Sequence, residues 1–221
     1  MTSTAGLLVA GEADLWARCV EHPFVVATAE DTLPTGAFDR WLLEDHEFVV
    51  QFRRFLAGLI TLAPDEAARD VLASGITALT PELALFRKQL AERCLRPDSH
   101  EPHTACLAYA SFLLASLQDG YDVALAVLYG VEKAYLDAWT AVRERAASSP
   151  YRGFIDNWSA PAFRSYVDSL GLLLGDGPPT PVQRRAFGRV VRFELLFWDA
   201  VHAPHPAPWA AKLHNLGRWA L

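Results

Sequence analysis

Cysteine is scarce in this chain of 221 residues: Cys19, Cys94 and Cys106 are an odd number at no metal-like spacing, which suits a reducing compartment. Basic runs are missing too. Lys and Arg total 20 against 26 Asp and Glu, for a net charge of −6, and the basic residues cluster no further than the pairs Arg53-Arg54 and Arg184-Arg185. That balance excludes an extended nucleic-acid surface. The longest apolar stretch, Ala105 to Ser116, is interrupted by a tyrosine and serines and falls short of the roughly 20 residues of a membrane-spanning helix. The N-terminus has no Lys or Arg before a short apolar run that Glu12 and Asp14 end, so no secretory leader is visible and a cytoplasmic location is expected. Alternation of β-branched and polar residues is almost absent, which argues against strands. There is no phosphate loop, Gly-x-Ser-x-Gly elbow or Rossmann fingerprint, and no internal repeat.

What is present is a hydrophobic content of 52% with 21% charged residues, enough for a proper core and incompatible with disorder. Apolar residues recur at three and four along nearly every long segment, which predicts an all-α, single-domain helical bundle over residues 1–221. Helices are expected at about 7–20, 35–61, 65–93 with a break near Thr80, 103–118, 121–147, 160–174 and 181–203. Pro64-Asp65 and Thr80-Pro81 read as helix starts, Asp119-Gly120 as a stop, and Thr180 with Gln183 as a capping box. The C-terminal tail 203–221, with Pro204, Pro206 and Pro208, cannot continue the last helix, and Trp209 and Trp219 are expected to cover the bundle or a subunit contact.

The informative feature is where carboxylates interrupt the apolar stripes. Phe38, Trp41, Leu42, Asp45, Phe48, Phe52, Phe55 and Leu59 define one helix face with Asp45 within it. Leu125, Leu128, Tyr129, Glu132, Tyr135, Leu136 and Trp139 define a second. Phe187, Val190, Val191, Glu194, Phe197, Trp198 and Val201 repeat the same offsets in a third. A carboxylate on a core face loses several kcal/mol of hydration unless it is paired, hydrogen-bonded or protonated. None of the three stripes contains a Lys or Arg. Each acid alone is explained as well by a buried hydroxyl, indole or amide, or by a place at the bundle edge. Three together point to a shared polar cavity. Phe48, Tyr109, Tyr135, Trp158, Phe197 and Trp198 supply flat walls, whereas Trp41, Phe52 and Trp139 read as plain core. Acids between flat walls suit a planar heterocycle with amine donors or ring nitrogens.

These side chains have competing uses. A metal site is the main one, yet no helix carries the paired Glu-x-x-His of carboxylate-bridged bundles. Asp199 and His202 read as a local helix pair, His22 before Pro23 as a helix end, and His46 as turned away from Asp45. Cys106, three residues before Tyr109, reads as a small core filler. Neither a metal nor another cofactor is expected.

With those residues in view, the chain resembles the TenA family, the thiaminase II-like proteins of the haem-oxygenase-like helical fold. The likeness is carried by His22-Pro-Phe-Val25, Thr32-Leu-Pro34, Phe38 and Leu43-Glu-Asp45-His46, by Thr104 to Gly120 around Tyr109, by Ile155 to Phe163, and by Glu194-Leu-Leu-Phe197-Trp198-Asp199. These blocks span about residues 22–202. Glu132 stands where thiaminase II carries its nucleophilic cysteine, so the resemblance is to the branch with glutamate there, and true thiaminase activity is not what it implies. It implies a hydrolase of a C–N bond on an aminopyrimidine, converting aminomethyl or formylaminomethyl breakdown products of thiamin to the hydroxymethyl form. Glu132 and Glu194 are then the catalytic acids, with Glu132 as base or nucleophile. Asp45, Phe48, Tyr109, Tyr135, Trp158, Phe197 and Trp198 bind a small-molecule pyrimidine substrate, and the subunits form a homotetramer. A non-catalytic heterocycle-binding module of the same fold is the rival reading, followed by a metal-dependent oxidase.

Overall fold

The computed structural model describes residues 3–146 and 149–202. Ten α-helices lie among the described residues: α1 (Thr4–Gly11), α2 (Ala13–Val20), α3 (Pro23–Ala29), α4 (Ala37–Leu62), α5 (Glu66–Glu92), α6 (Thr104–Ser116), α7 (Tyr121–Arg145), α8 (Arg152–Trp158), α9 (Pro161–Leu173) and α10 (Pro181–His202). Among the described residues there is no strand, only an isolated bridge between Ser3 and Asp176. The architecture is all-α.

Local chemistry sets most helix ends. Asp65 caps α5 by accepting from the Ala68 amide at 2.8 Å. Thr180 and Gln183 form the expected reciprocal capping box at 2.8 and 3.2 Å. His22 stands at a helix end as expected, just past α2 and as the N-cap of α3. Its Nδ1 accepts from the Phe24 amide at 3.1 Å, and Pro23 occupies the first position of α3. The single helix expected over 7–20 is two, because Glu12 leaves helical geometry at φ −122°. The break expected near Thr80 is absent. Helix α5 runs through Pro81, since Leu72, Leu79, Leu83, Phe86 and Leu90 stay in phase on one buried face across it, and packing outweighs the lost helical hydrogen bond. Helices α3 and α8, seven residues each, were not anticipated.

Helix α7 is the axis of the bundle. Every residue from Val123 to Glu132 is buried, as befits a helix wrapped on all sides. It packs on α10, α3, α9, α8 and α2, while α4 packs on α5 and α6. Gly130 permits the close approach to α10, because a Cβ there would sit 3.0 Å from Val190 and 3.2 Å from Phe187. The buried apolar side chains form one connected core. No helix among the described residues is long and apolar enough to cross a membrane. The tail with Trp209 and Trp219 lies outside the described residues.

Candidate active site

Between α4, α5, α7, α8 and α9 lies a cavity of about 430 Å³. Asp45 and Phe48 reach it from α4, Glu132 and Tyr135 from α7, and Trp158 from the end of α8. Five of the nine side chains singled out in the sequence therefore line one space. The other four stand directly behind its wall. Tyr109 packs against Phe48 with ring centroids 4.8 Å apart, and Phe197 meets Phe48 at 6.1 Å. Trp198 stacks on Tyr135 at 5.6 Å. Glu194 accepts the Tyr109 hydroxyl at 2.5 Å and is fully buried.

Asp45 is equally inaccessible and accepts the Tyr135 hydroxyl at 2.6 Å. The second oxygens of Asp45 and Glu194 have no hydrogen-bond partner among the described residues. Burial raises the pKa of Asp45 well above the ordinary carboxylate value, against the opposing effect of the Tyr135 bond, and the charges of Glu82 and Glu194 add to the rise. Burial also raises Glu132, again with help from Glu82 and Glu194. Glu194 is pushed up to about 8 by burial, although its bond from Tyr109 pulls the other way. These directions share their first cause, the burial of acids gathered in one interior, and among the described residues no Lys, Arg or His lines the cavity.

Sequence reasoning missed Glu82. It lies on α5, lines the same cavity, and accepts from Asn157 Nδ2 at 3.0 Å. Burial pushes its carboxyl up to about 7. The signal that finds it is the one that found the other acids: Gly75, Leu79, Glu82 and Phe86 share a helix face at steps of four, three and four. The break wrongly placed at Thr80 cut that stripe in two. Tyr166 on α9 was missed as well. Tyr166 lines the cavity, and its hydroxyl, buried against Gly75, has no partner among the described residues; a Cβ on Gly75 would lie 2.3 Å from that oxygen.

Other candidates resolve elsewhere. Asp199 pairs with His22 Nε2 at 3.1 Å instead of with His202, because α10 turns that side chain toward the start of α3. Cys106 is buried on α6 with its thiol pKa raised, chiefly by burial, which agrees with a core filler. Among the described residues no three His, Cys, Asp or Glu side chains are placed to hold a metal ion together.

The described residues form an all-helical bundle that encloses a carboxylate-lined, aromatic-walled cavity. Residues 12–203 match the TENA/THI-4/PQQC family, and the chain belongs to it. A TenA homologue from Pyrococcus furiosus is 31% identical, with a TM-score of 0.82 over 88% of this chain and 97% of that one. The "Aminopyrimidine aminohydrolase" of Helicobacter pylori is 26% identical over 208 residues, covering 85% of this chain and 93% of its own. The "Probable bifunctional TENA-E protein" of Glycine max is 24% identical over 164 residues, covering 71% and 72%.

Proposed function

We propose that the protein hydrolyses the C–N bond of an aminomethyl group on a pyrimidine, as in salvage of thiamin breakdown products, and that it belongs to the glutamate branch of its family. The observation that carries this reading is the cavity wall, where Asp45, Glu82 and Glu132 face one another without a cation. The name of the Helicobacter pylori relative supports the reaction class.

In this reading Asp45, steadied by Tyr135, accepts hydrogen bonds from the ring amine or a protonated ring nitrogen, while Trp158 and Phe48 bound the ring plane. Glu132 has no hydrogen-bond partner among the described side chains and opens on the cavity; the entering alkylammonium ion offsets the burial that raises its pKa, and the ionised carboxylate then takes a proton from water. The oxygen of that water bonds to the aminomethyl carbon, the C–N bond breaks, and ammonia leaves with the displaced proton. The balance is an alkylammonium ion plus water giving an alcohol plus ammonium. Glu194 and Tyr109, behind the wall, act as the proton store that sets the charge state of the acids in front. Glu132 and no cysteine lines the cavity among the described residues, which supports hydrolysis by activated water over thiamin cleavage through a thiolate.

The test is product formation. The wild type is expected to release ammonia and hydroxymethylpyrimidine from aminomethylpyrimidine, and Glu132→Gln is expected to be slower by about 10²–10⁴-fold. Binding without turnover by the wild type would replace this reading with a heterocycle-binding module.

A further inference from the structure

Two features of the cavity have no step in the reaction just described: the Glu82 carboxylate held by Asn157, and the Tyr166 hydroxyl beside Gly75, which has no partner among the described residues. Glu82 comes from α5, Asn157 from α8 and Tyr166 from α9. Glu132 links them. Its charge acts on Tyr166, and the charge of Glu82 acts on Glu132.

We infer that Glu82, Glu132 and the Tyr166 oxygen form a subsite for a protonated primary amine, which makes Glu82 a specificity residue for the substrate's leaving group. The inference rests on the proposed reaction for the identity of the ligand, but the subsite follows from the side chains. A primary ammonium group presents three N–H donors around one charge. Two carboxylates and a hydroxyl oxygen are the matching acceptors. The remaining charges near this end do not compete for the role. Asp156 on α8 is bound to Arg143 and Arg152, both at 3.3 Å. Asp45 on α4 is engaged by Tyr135, and Glu194 on α10 by Tyr109. Asn157 offers its Nδ2 to Glu82, which fixes the carboxylate and leaves less donor capacity for a carbonyl.

Specificity follows from this arrangement. A formylated amine is neutral and presents a carbonyl oxygen to the two carboxylates, an unfavourable meeting. The hydroxymethyl product is neutral too, so it gains little from the subsite and leaves readily. A cation entering among acids that burial keeps protonated drives protons off them, so ammonium binding is coupled to proton release.

Rapid-mixing tryptophan fluorescence, read before turnover, measures affinity for aminomethylpyrimidine, its N-formyl derivative and hydroxymethylpyrimidine near pH 7.5. In the wild type the amine is expected to bind at least about tenfold more tightly than the two neutral ligands, from a charge-assisted contact that they lack. Glu82→Gln is expected to weaken the amine by about 10- to 100-fold while changing the neutral ligands by less than about threefold. Glu82→Asp, which keeps the charge, is expected to restore part of the difference. Equal loss for all three ligands, or no loss, overturns the subsite. A pH indicator adds a measurement on the wild type alone: mixing with the amine is expected to release protons and mixing with hydroxymethylpyrimidine is not. Absence of release overturns the inference even where Glu82→Gln fails to fold. Tight, Glu82-dependent amine binding without hydrolysis overturns the proposed reaction and leaves the subsite standing.

Discussion

Replacing Glu194 with glutamine is expected to stabilise this protein above neutral pH, in contrast to most core substitutions. In the unfolded chain this acid titrates at its ordinary value of 4.5, and in the folded chain at about 8. Between those values the folded state holds one more proton than the unfolded state, so stability is complete below pH 4.5 and falls as pH rises toward 8. A separation of 3.5 in pKa corresponds to a loss on the order of 5 kcal/mol across the window. Glutamine is nearly isosteric, keeps an oxygen to accept the Tyr109 hydroxyl, and carries no charge to strip of water. Its removal of charge also relieves Asp45 and Glu132, whose pKa values Glu194 helps to raise. Urea unfolding of wild type and Glu194→Gln at pH 5, 6, 7 and 8 gives the comparison. The two are expected to be similar at pH 5, with the variant more stable by a few kcal/mol at pH 8. A wild-type stability flat from pH 5 to 8, with the variant weaker throughout, would refute the account of these acids as protonated by burial.

Asp45→Asn is expected to raise KM more than it lowers kcat, because a ring anchor contributes alike in ground and transition states; steady-state kinetics showing the opposite split would refute that role. Gly75→Ala is expected to displace the Tyr166 ring and weaken amine binding, since the added carbon would lie 2.3 Å from the tyrosine oxygen; Gly75→Ala combined with Tyr166→Phe should recover stability in thermal melts. Helix α6 is apolar on every side and leaves Leu107 exposed, while α10 exposes Leu196, so a homotetramer is proposed, and light scattering that finds a 24.4 kDa particle at micromolar concentration would reject it.

The long helices were legible because an amphipathic stripe of 22 to 27 residues states its own period. Asp45, Glu132 and Glu194 stood out for the same reason, as interruptions of a pattern. Helices α3 and α8 were not legible, since seven residues complete barely two turns and their apolar residues carry no period. Glu82 was hidden by a local rule applied too strongly. A proline normally ends a helix, and nothing near Thr80 shows that packing on α4 and α9 carries the helix through it. Tyr166 shows a further limit. Its side chain matters through an unfilled hydroxyl and a glycine about ninety residues away, a relation between helices that no single stripe contains. The sequence likewise separates cavity-lining acids from one standing behind the wall only once the helices are assembled: Glu132 and Glu194 occupy equivalent places in their stripes, yet only the former faces the cavity.

Helix α4 does more than carry Asp45. One and a half turns before it, Arg40 donates through Nε to the Val201 carbonyl at 3.0 Å and through Nη2 to the His202 carbonyl at 2.8 Å, the last carbonyls of α10. The same helix that delivers the ring anchor is thus latched to the end of the helix that delivers Glu194. The latch fixes the sliding register of the two, and the distance between front and rear acids with it. Arg40→Met would remove the latch while keeping a long apolar stem. Its effect should be felt as a change in how the acids share protons, at a site the arginine does not touch. Fold maintenance and acid–base tuning are in this respect one mechanical problem, solved at a helix end remote from the cavity.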